Sequence, residues 1–134
     1  MAFEFELEIF LSGKPARTMQ LLTDPGLIRK WSGEEGVAEP KEGGKFEMFD
    51  GWVTGKVLKA NEKELVVTWL PGDWEAGTPP SEVHFLLKPY GAGTLVKLKH
   101  TGFPNEKESD SHKSGWSDFY FDPMEDFMLI IDKS

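Results

Sequence analysis

The chain has no cysteine, and that absence removes disulfides, thiolate nucleophiles and zinc–thiolate centres together. It fits a reducing compartment, and a cytoplasmic location is the expectation. Long apolar runs are missing too: nothing approaches the roughly 20 residues that a membrane helix requires, so no membrane insertion is expected. Met1-Ala2-Phe3-Glu4-Phe5-Glu6 has neither a basic nor an apolar leader region, so no signal peptide is read there. Positive charge is scarce, with 15 basic against 23 acidic residues and a net charge of −8. The lysines (Lys56, Lys59, Lys63, Lys88, Lys97, Lys99) are scattered along strands and turns rather than gathered in a stripe. An acidic domain repels phosphate backbones, so nucleic acid is excluded as a partner. Repeats, linkers and low-complexity tracts are absent. What remains is 134 residues, the size of a single domain over 1–134, long enough to bury about two-thirds of its unfolded surface.

Within that domain the periodicity is mostly two. Phe3, Phe5, Leu7, Ile9 and Leu11 share one face and Glu4, Glu6 and Glu8 the other, which predicts a half-buried strand. Pro15 opens a short helix through Leu22. Asp24-Pro25 opens a second, with Asp24 as N-cap and proline at the first helical position, ending near Trp31-Ser32-Gly33. Short strands follow over Lys45–Phe49, Trp52–Ala60, Glu64–Leu70, Ser81–Lys88 and Thr94–Thr101, and Val37-Ala38-Glu39 would make a seventh. Asp50-Gly51 is a turn pair, and Gly55 inside a strand signals a bulge or a close backbone approach. The segment Pro71–Pro80 is too rich in glycine and proline to be regular, and Pro89–Gly93 reads as a loop between the last two strands. From about Ser111 to Ile131 an apolar stripe of Trp116, Phe119, Tyr120, Met124, Phe127 and Ile131 predicts a helix. Asp122-Pro123-Met124-Glu125 has the form of a fresh N-cap, proline and capping-box glutamate, which predicts a kink or break at Pro123. The fold class is α+β: a curved antiparallel sheet of six to seven strands packed on a C-terminal helix.

Several fragments in order carry a family resemblance: Thr23-Asp24-Pro25 leading to Trp31, Gly43-Gly44-x-Phe46, Trp52-x-x-Gly55-x-Val57 and Val67-Thr68-Trp69. They continue through Ser81-x-Val83 and Gly93-Thr94-Leu95-Val96-x-Leu98-x-His100-x-Gly102 to Gly115-Trp116. From Phe5 to about Ile130 the chain resembles the START-like (SRPBCC, helix-grip) superfamily. Within it, it is most similar to the family named after the C-terminal domain of the activator of the ninety-kilodalton heat-shock-protein ATPase. The resemblance implies a sheet gripping a long C-terminal helix, with a cavity between them that holds lipids, sterols, polyketides, hormones or aromatic substrates elsewhere in the superfamily. The chaperone activator itself carries a further N-terminal domain, for which these residues leave no room.

The cavity candidates are Phe46, Phe49, Trp52, Trp69, Trp74, His100, Phe103, Trp116, Tyr120 and Met124. Plain core packing explains most of them equally well, since aromatics dominate small cores with or without a ligand. Trp74 differs, because it stands in an irregular loop where a lid or exposed contact is expected. His100 is expected on the helix-facing side of the sheet and His84 away from it. His112 is read as solvent-facing, and Glu106, Glu108 and Asp110 as solvated loop residues. A metal site needs three or more convergent ligands and none is seen; no cofactor or catalytic residue is assigned. The function expected is binding of an apolar or amphipathic small molecule, by a monomer or homodimer. Two alternatives stand beside it: assistance to a chaperone or stress response, and a cyclase- or hydrolase-type activity centred on His100 or Tyr120.

Overall fold

The computed structural model describes residues 3–132, the side chains of residues 131 and 132 excepted. The leader reading on Met1 and Ala2 therefore lies outside the described residues, as does the side chain of the stripe position Ile131. Strand β1 (Phe3–Leu11) is followed by α1 (Pro15–Thr23) and α2 (Pro25–Ser32). Then come β2 (Val37–Ala38), β3 (Lys45–Met48), β4 (Val53–Ala60), β5 (Glu64–Pro71), β6 (Ser81–Tyr90) and β7 (Gly93–Phe103). The seven strands form one antiparallel sheet in the order β1-β7-β6-β5-β4-β3-β2. After β2 every neighbour is a hairpin partner; β1 is the exception and closes the far edge against β7. This is the antiparallel sheet packed on a C-terminal helix that the alternating strands and the late helical stripe predict, and the helix-grip arrangement that the resemblance implies.

The local chemistry explains the elements. The Asp24 carboxylate accepts from the Leu27 backbone N–H at 3.0 Å, and Gly33 ends α2 at a φ of 78°. A side-chain oxygen at this position satisfies one orphan N–H of the first turn. Asp24→Ala is therefore expected to cost about 1 kcal/mol and Asp24→Asn little, read as melting temperatures; equal losses would refute the cap. Gly55 sits where a Cβ would overlap the Thr68 carbonyl, and the Thr68 hydroxyl accepts from the Lys56 N–H at 2.8 Å. The close approach read from the sequence is there. The bulge lies two to four residues further on, where the register slips between Val57 and Lys59.

Two segments differ from expectation. Pro89 and Tyr90 are not loop but the end of β6, pairing with Thr94 and Gly93. β5 pairs with β6 only as far as Leu86, so Pro89 faces no strand on that side and its missing N–H costs nothing. The last helix begins at Glu106 rather than Ser111, under an Asn105 cap accepting from Glu108 N–H at 2.9 Å. Glu106, Glu108 and Asp110 are thus helical, not loop residues.

At Pro123, where a kink or break is expected, the helix is irregular but continuous. Helix α3 (Glu106–Trp116) passes into a π-helical turn, Ser117–Phe121, and then into α4 (Asp122–Asp132). Asp122 has helical backbone angles and donates its N–H to the Ser117 carbonyl five residues back. An extra residue in the turn relieves a proline that has no N–H to place and whose ring would strike the Phe119 carbonyl in a regular α turn. Glu125 does not cap a new helix. Its carboxylate receives the Ser12 N–H and hydroxyl, both at 3.0 Å, fastening the helix to the end of β1.

The core lies between the sheet and this helical layer. Leu11, Val57, Val67, Val83, Phe85, Val96 and Leu98 face Leu21, Ile28, Trp31, Trp116, Tyr120, Phe121, Met124 and Met128. Phe119 is the exception to the apolar stripe: it is 65% exposed, turned outward in the π turn.

Candidate functional site

All five indole N–H groups have acceptors, and four of them converge on one end of the sheet. Trp116 donates to His100 Nδ1 at 3.2 Å, and Trp69 to His112 Nε2 at 3.1 Å. Trp52 donates to Asp73 at 3.1 Å, and Trp74 to a Glu108 carboxylate oxygen. The fifth, Trp31, ties α2 to α1 through the Leu21 carbonyl at 2.8 Å. Each bond satisfies a donor that would be costly to bury alone.

These bonds fix both histidines as neutral rings. His100 is wholly buried; its Nε2 lies 2.9 Å from the Ser81 hydroxyl, which itself donates to the Trp69 carbonyl at 2.7 Å. With Nδ1 accepting from Trp116, the proton must sit on Nε2. Burial, with a smaller contribution from the charge of a protonated His112, lowers its pKa to about 2. His112 uses Nδ1 toward the Glu108 carbonyl at 3.0 Å, leaving Nε2 as acceptor for Trp69. Its pKa is lowered by burial, against the opposing pull of the Glu108 carbonyl and of the Glu108 and Asp73 charges. The solvent-facing role expected of His112 is corrected: it is half-buried and central to the network. His84 stays on the outer face, paired with Glu82 at 2.8 Å, as expected.

Around His112 lies an open cleft of about 260 Å³ between α3, the π turn and the loops leading into β4 and out of β5. Phe49, Trp52, Trp69, Trp116, Phe119 and Tyr120 supply its rings. Asp73, Glu108, Ser111 and His112 supply its polar atoms, and Gly115 its floor. Trp52 stacks on His112 with ring centres 6.2 Å apart and planes 22° from parallel, and is still 42% exposed. Trp69 meets Trp116 at 5.0 Å and Tyr120 meets Trp116 at 4.6 Å, forming the inner wall. Phe49 packs edge-on against Tyr120 at 5.6 Å. Burial raises the Tyr120 pKa, so its phenol stays protonated. A larger depression of about 460 Å³ lies on the outer sheet face among Glu6, Glu8, His84, Lys97 and Lys99.

Of the ten candidates, five line the cleft: Phe49, Trp52, Trp69, Trp116 and Tyr120. Phe46, His100, Phe103 and Met124 are buried behind it and pack the core, with His100 and Phe103 centred 4.1 Å apart. Trp74 lies half-buried beside the cleft, its ring 6.2 Å from Phe103 and 6.0 Å from His112. Asp73, Glu108, Ser111, His112 and Phe119 were not among the candidates. Spacing held one signal for them: Glu108, Ser111, His112 and Gly115 precede Trp116 by eight, five, four and one residues, close to one helical face once α3 is extended. Among the described residues no three His, Asp or Glu side chains gather as a metal site would require.

The sequence profile of the family described as Activator of Hsp90 ATPase homolog 1-like protein matches residues 14–128. The mouse activator of 90 kDa heat shock protein ATPase homolog 2 is 27% identical over 112 residues, 82% of this chain and 33% of that protein. The chain therefore spans about a third of the length of the curated relatives it matches. A crystal structure of an HSP90 activator from Plasmodium falciparum superposes with a TM-score of 0.82 at 23% identity, covering 94% of this chain and 96% of that one. The crystal structure of a Mesorhizobium loti protein gives a TM-score of 0.79 at 25% identity, with 98% of each chain covered. With the profile matching well over half its length, the chain belongs to the Activator of Hsp90 ATPase homolog 1-like family.

Proposed function

We propose that this chain is a non-enzymatic binding domain that takes a small ring-bearing molecule into the cleft around His112. The observation carrying the reading is the cleft itself: six aromatic rings around one opening, with Asp73, Glu108, Ser111 and His112 as its polar lining. Ligand sites are mostly apolar hollows with a few placed polar groups, and a volume of about 260 Å³ suits one or two fused rings rather than a sterol or lipid. Both lone pairs that a histidine base would use are committed, at His100 to Trp116 and at His112 to Trp69.

Indole and phenol are the first probes. Saturation near a hundredfold excess over Kd stabilises a fold by about 2.7 kcal/mol, so the melting temperature rises. Trp52→Ala removes that response. Absence of any shift with wild-type protein refutes the reading.

A second reading is favoured by the relatives: the chain assists a ninety-kilodalton chaperone, as the mouse and human activators that it resembles are named for doing. Addition of the chain to the chaperone of its own host then raises the steady-state ATPase rate. An unchanged rate at saturating protein rejects it.

A further inference from the structure

We infer that the cleft selects small organic cations with one or two fused rings, arylalkylammonium compounds in particular, over neutral and anionic analogues of the same shape. The inference rests on the cleft being a ligand site, and it adds the charge of the ligand.

The argument is one of complementarity. Asp73 and Glu108 both line the cleft, and among the described residues no Lys or Arg does. Each carboxylate accepts from an indole through one oxygen, Asp73 from Trp52 and Glu108 from Trp74. His112 offers no positive charge in return. It is held neutral by burial, with Nδ1 facing the Glu108 carbonyl and Nε2 receiving the Trp69 N–H. An entering carboxylate would find two like charges, and the indole N–H groups that could bind it are already committed. An ammonium finds the opposite: two carboxylates beside Trp and Tyr rings, whose quadrupole attracts a cation. The net charge of −8 adds a long-range field of the same sign.

The test is calorimetric titration of the full chain with three indoles of one shape: tryptamine, tryptophol and indole-3-acetate. Tryptamine is expected to bind about tenfold tighter than tryptophol, with indole-3-acetate weakest. Raising salt to about 0.5 M should bring tryptamine toward tryptophol, because screening weakens exposed charge pairs. Asp73→Asn with Glu108→Gln should erase the preference, and the Asp73→Asn single variant should reduce it, each checked for an intact melting transition. Tryptophol binding as tightly as tryptamine, or the anion binding best, overturns the charge inference and leaves the ligand reading standing. Failure of all three indoles to bind overturns both. The salt series on wild-type protein decides the question even if neither variant folds.

Discussion

Replacing Trp69 by alanine is expected to destabilise the fold by about 3–5 kcal/mol, lowering the melting temperature by roughly 10–20 °C for a domain of this size. The indole is 3% exposed and stands where sheet and helix meet. It touches Phe46 from β3 at 5.8 Å between ring centres, Trp116 from α3 at 5.0 Å and Tyr120 from the π turn at 6.2 Å. Deletion leaves a hollow bounded by three elements whose backbones are fixed by the sheet and by the helix, so little collapse can offset it. The lost N–H to His112 matters less, because Nε2 borders the cleft and water can take the vacated place. Trp52 supplies the contrast. It lines the same cleft but is 42% exposed, so Trp52→Ala is expected to cost about 1–2 kcal/mol, well short of the loss at Trp69. Thermal melts of the two variants beside wild type separate core from site. Similar losses at both positions would show that burial does not set the difference between them.

That contrast also shows how far the sequence could lead. The strands were legible because β1, β6 and most of β7 bury one face and leave the other open, while β5 shows a short apolar run, Leu65-Val66-Val67, buried on both faces. Asp24-Pro25 named its helix because capping is local chemistry. Helix α3 concealed its start for the opposite reason. Its only buried residues are Ser109 and Trp116, so no apolar stripe runs back to the Asn105 cap, although Asn105-x-x-Glu108 has the capping form. Pro123 announced an irregularity but not its kind. A break and a π turn both answer a missing N–H, and the choice between them follows from Trp116, Tyr120 and Phe121 all reaching the core, a tertiary demand. The cleft was least legible. Its carboxylates come from a glycine- and proline-rich loop at Asp73 and from a helix 35 residues later at Glu108, brought together by the Trp52 and Trp74 indoles. No short-range pattern encodes that meeting.

A steep loss of stability below neutrality should follow from His100. Its ordinary pKa, near 6.5, holds in the unfolded chain, whereas in the folded chain burial lowers it to about 2. Below pH 6.5 the unfolded state therefore takes up a proton that the native state refuses. The contribution is fully present above pH 6.5, and it is lost progressively as pH falls toward the folded-state value. The slope is about 1.4 kcal/mol per pH unit, so roughly 2.5 kcal/mol disappears between pH 6.5 and pH 4.5. The refusal has a geometric cause. A proton on Nδ1 would point at the Trp116 N–H 3.2 Å away, and Nε2 already uses its own proton on Ser81. His112, also lowered, adds loss of the same sign. Ordinary carboxylates protonate mainly below pH 5, so the interval from 6.5 to 5 reports on the histidines. Urea unfolding midpoints at closely spaced pH values should fall steadily across that interval for wild type. In His100→Gln they should fall much less, since the amide keeps a donor and an acceptor but cannot charge. If the variant retains the full wild-type slope, the buried imidazole is not its source, and a flat wild-type profile would mean that His100 does accept its proton in the folded chain.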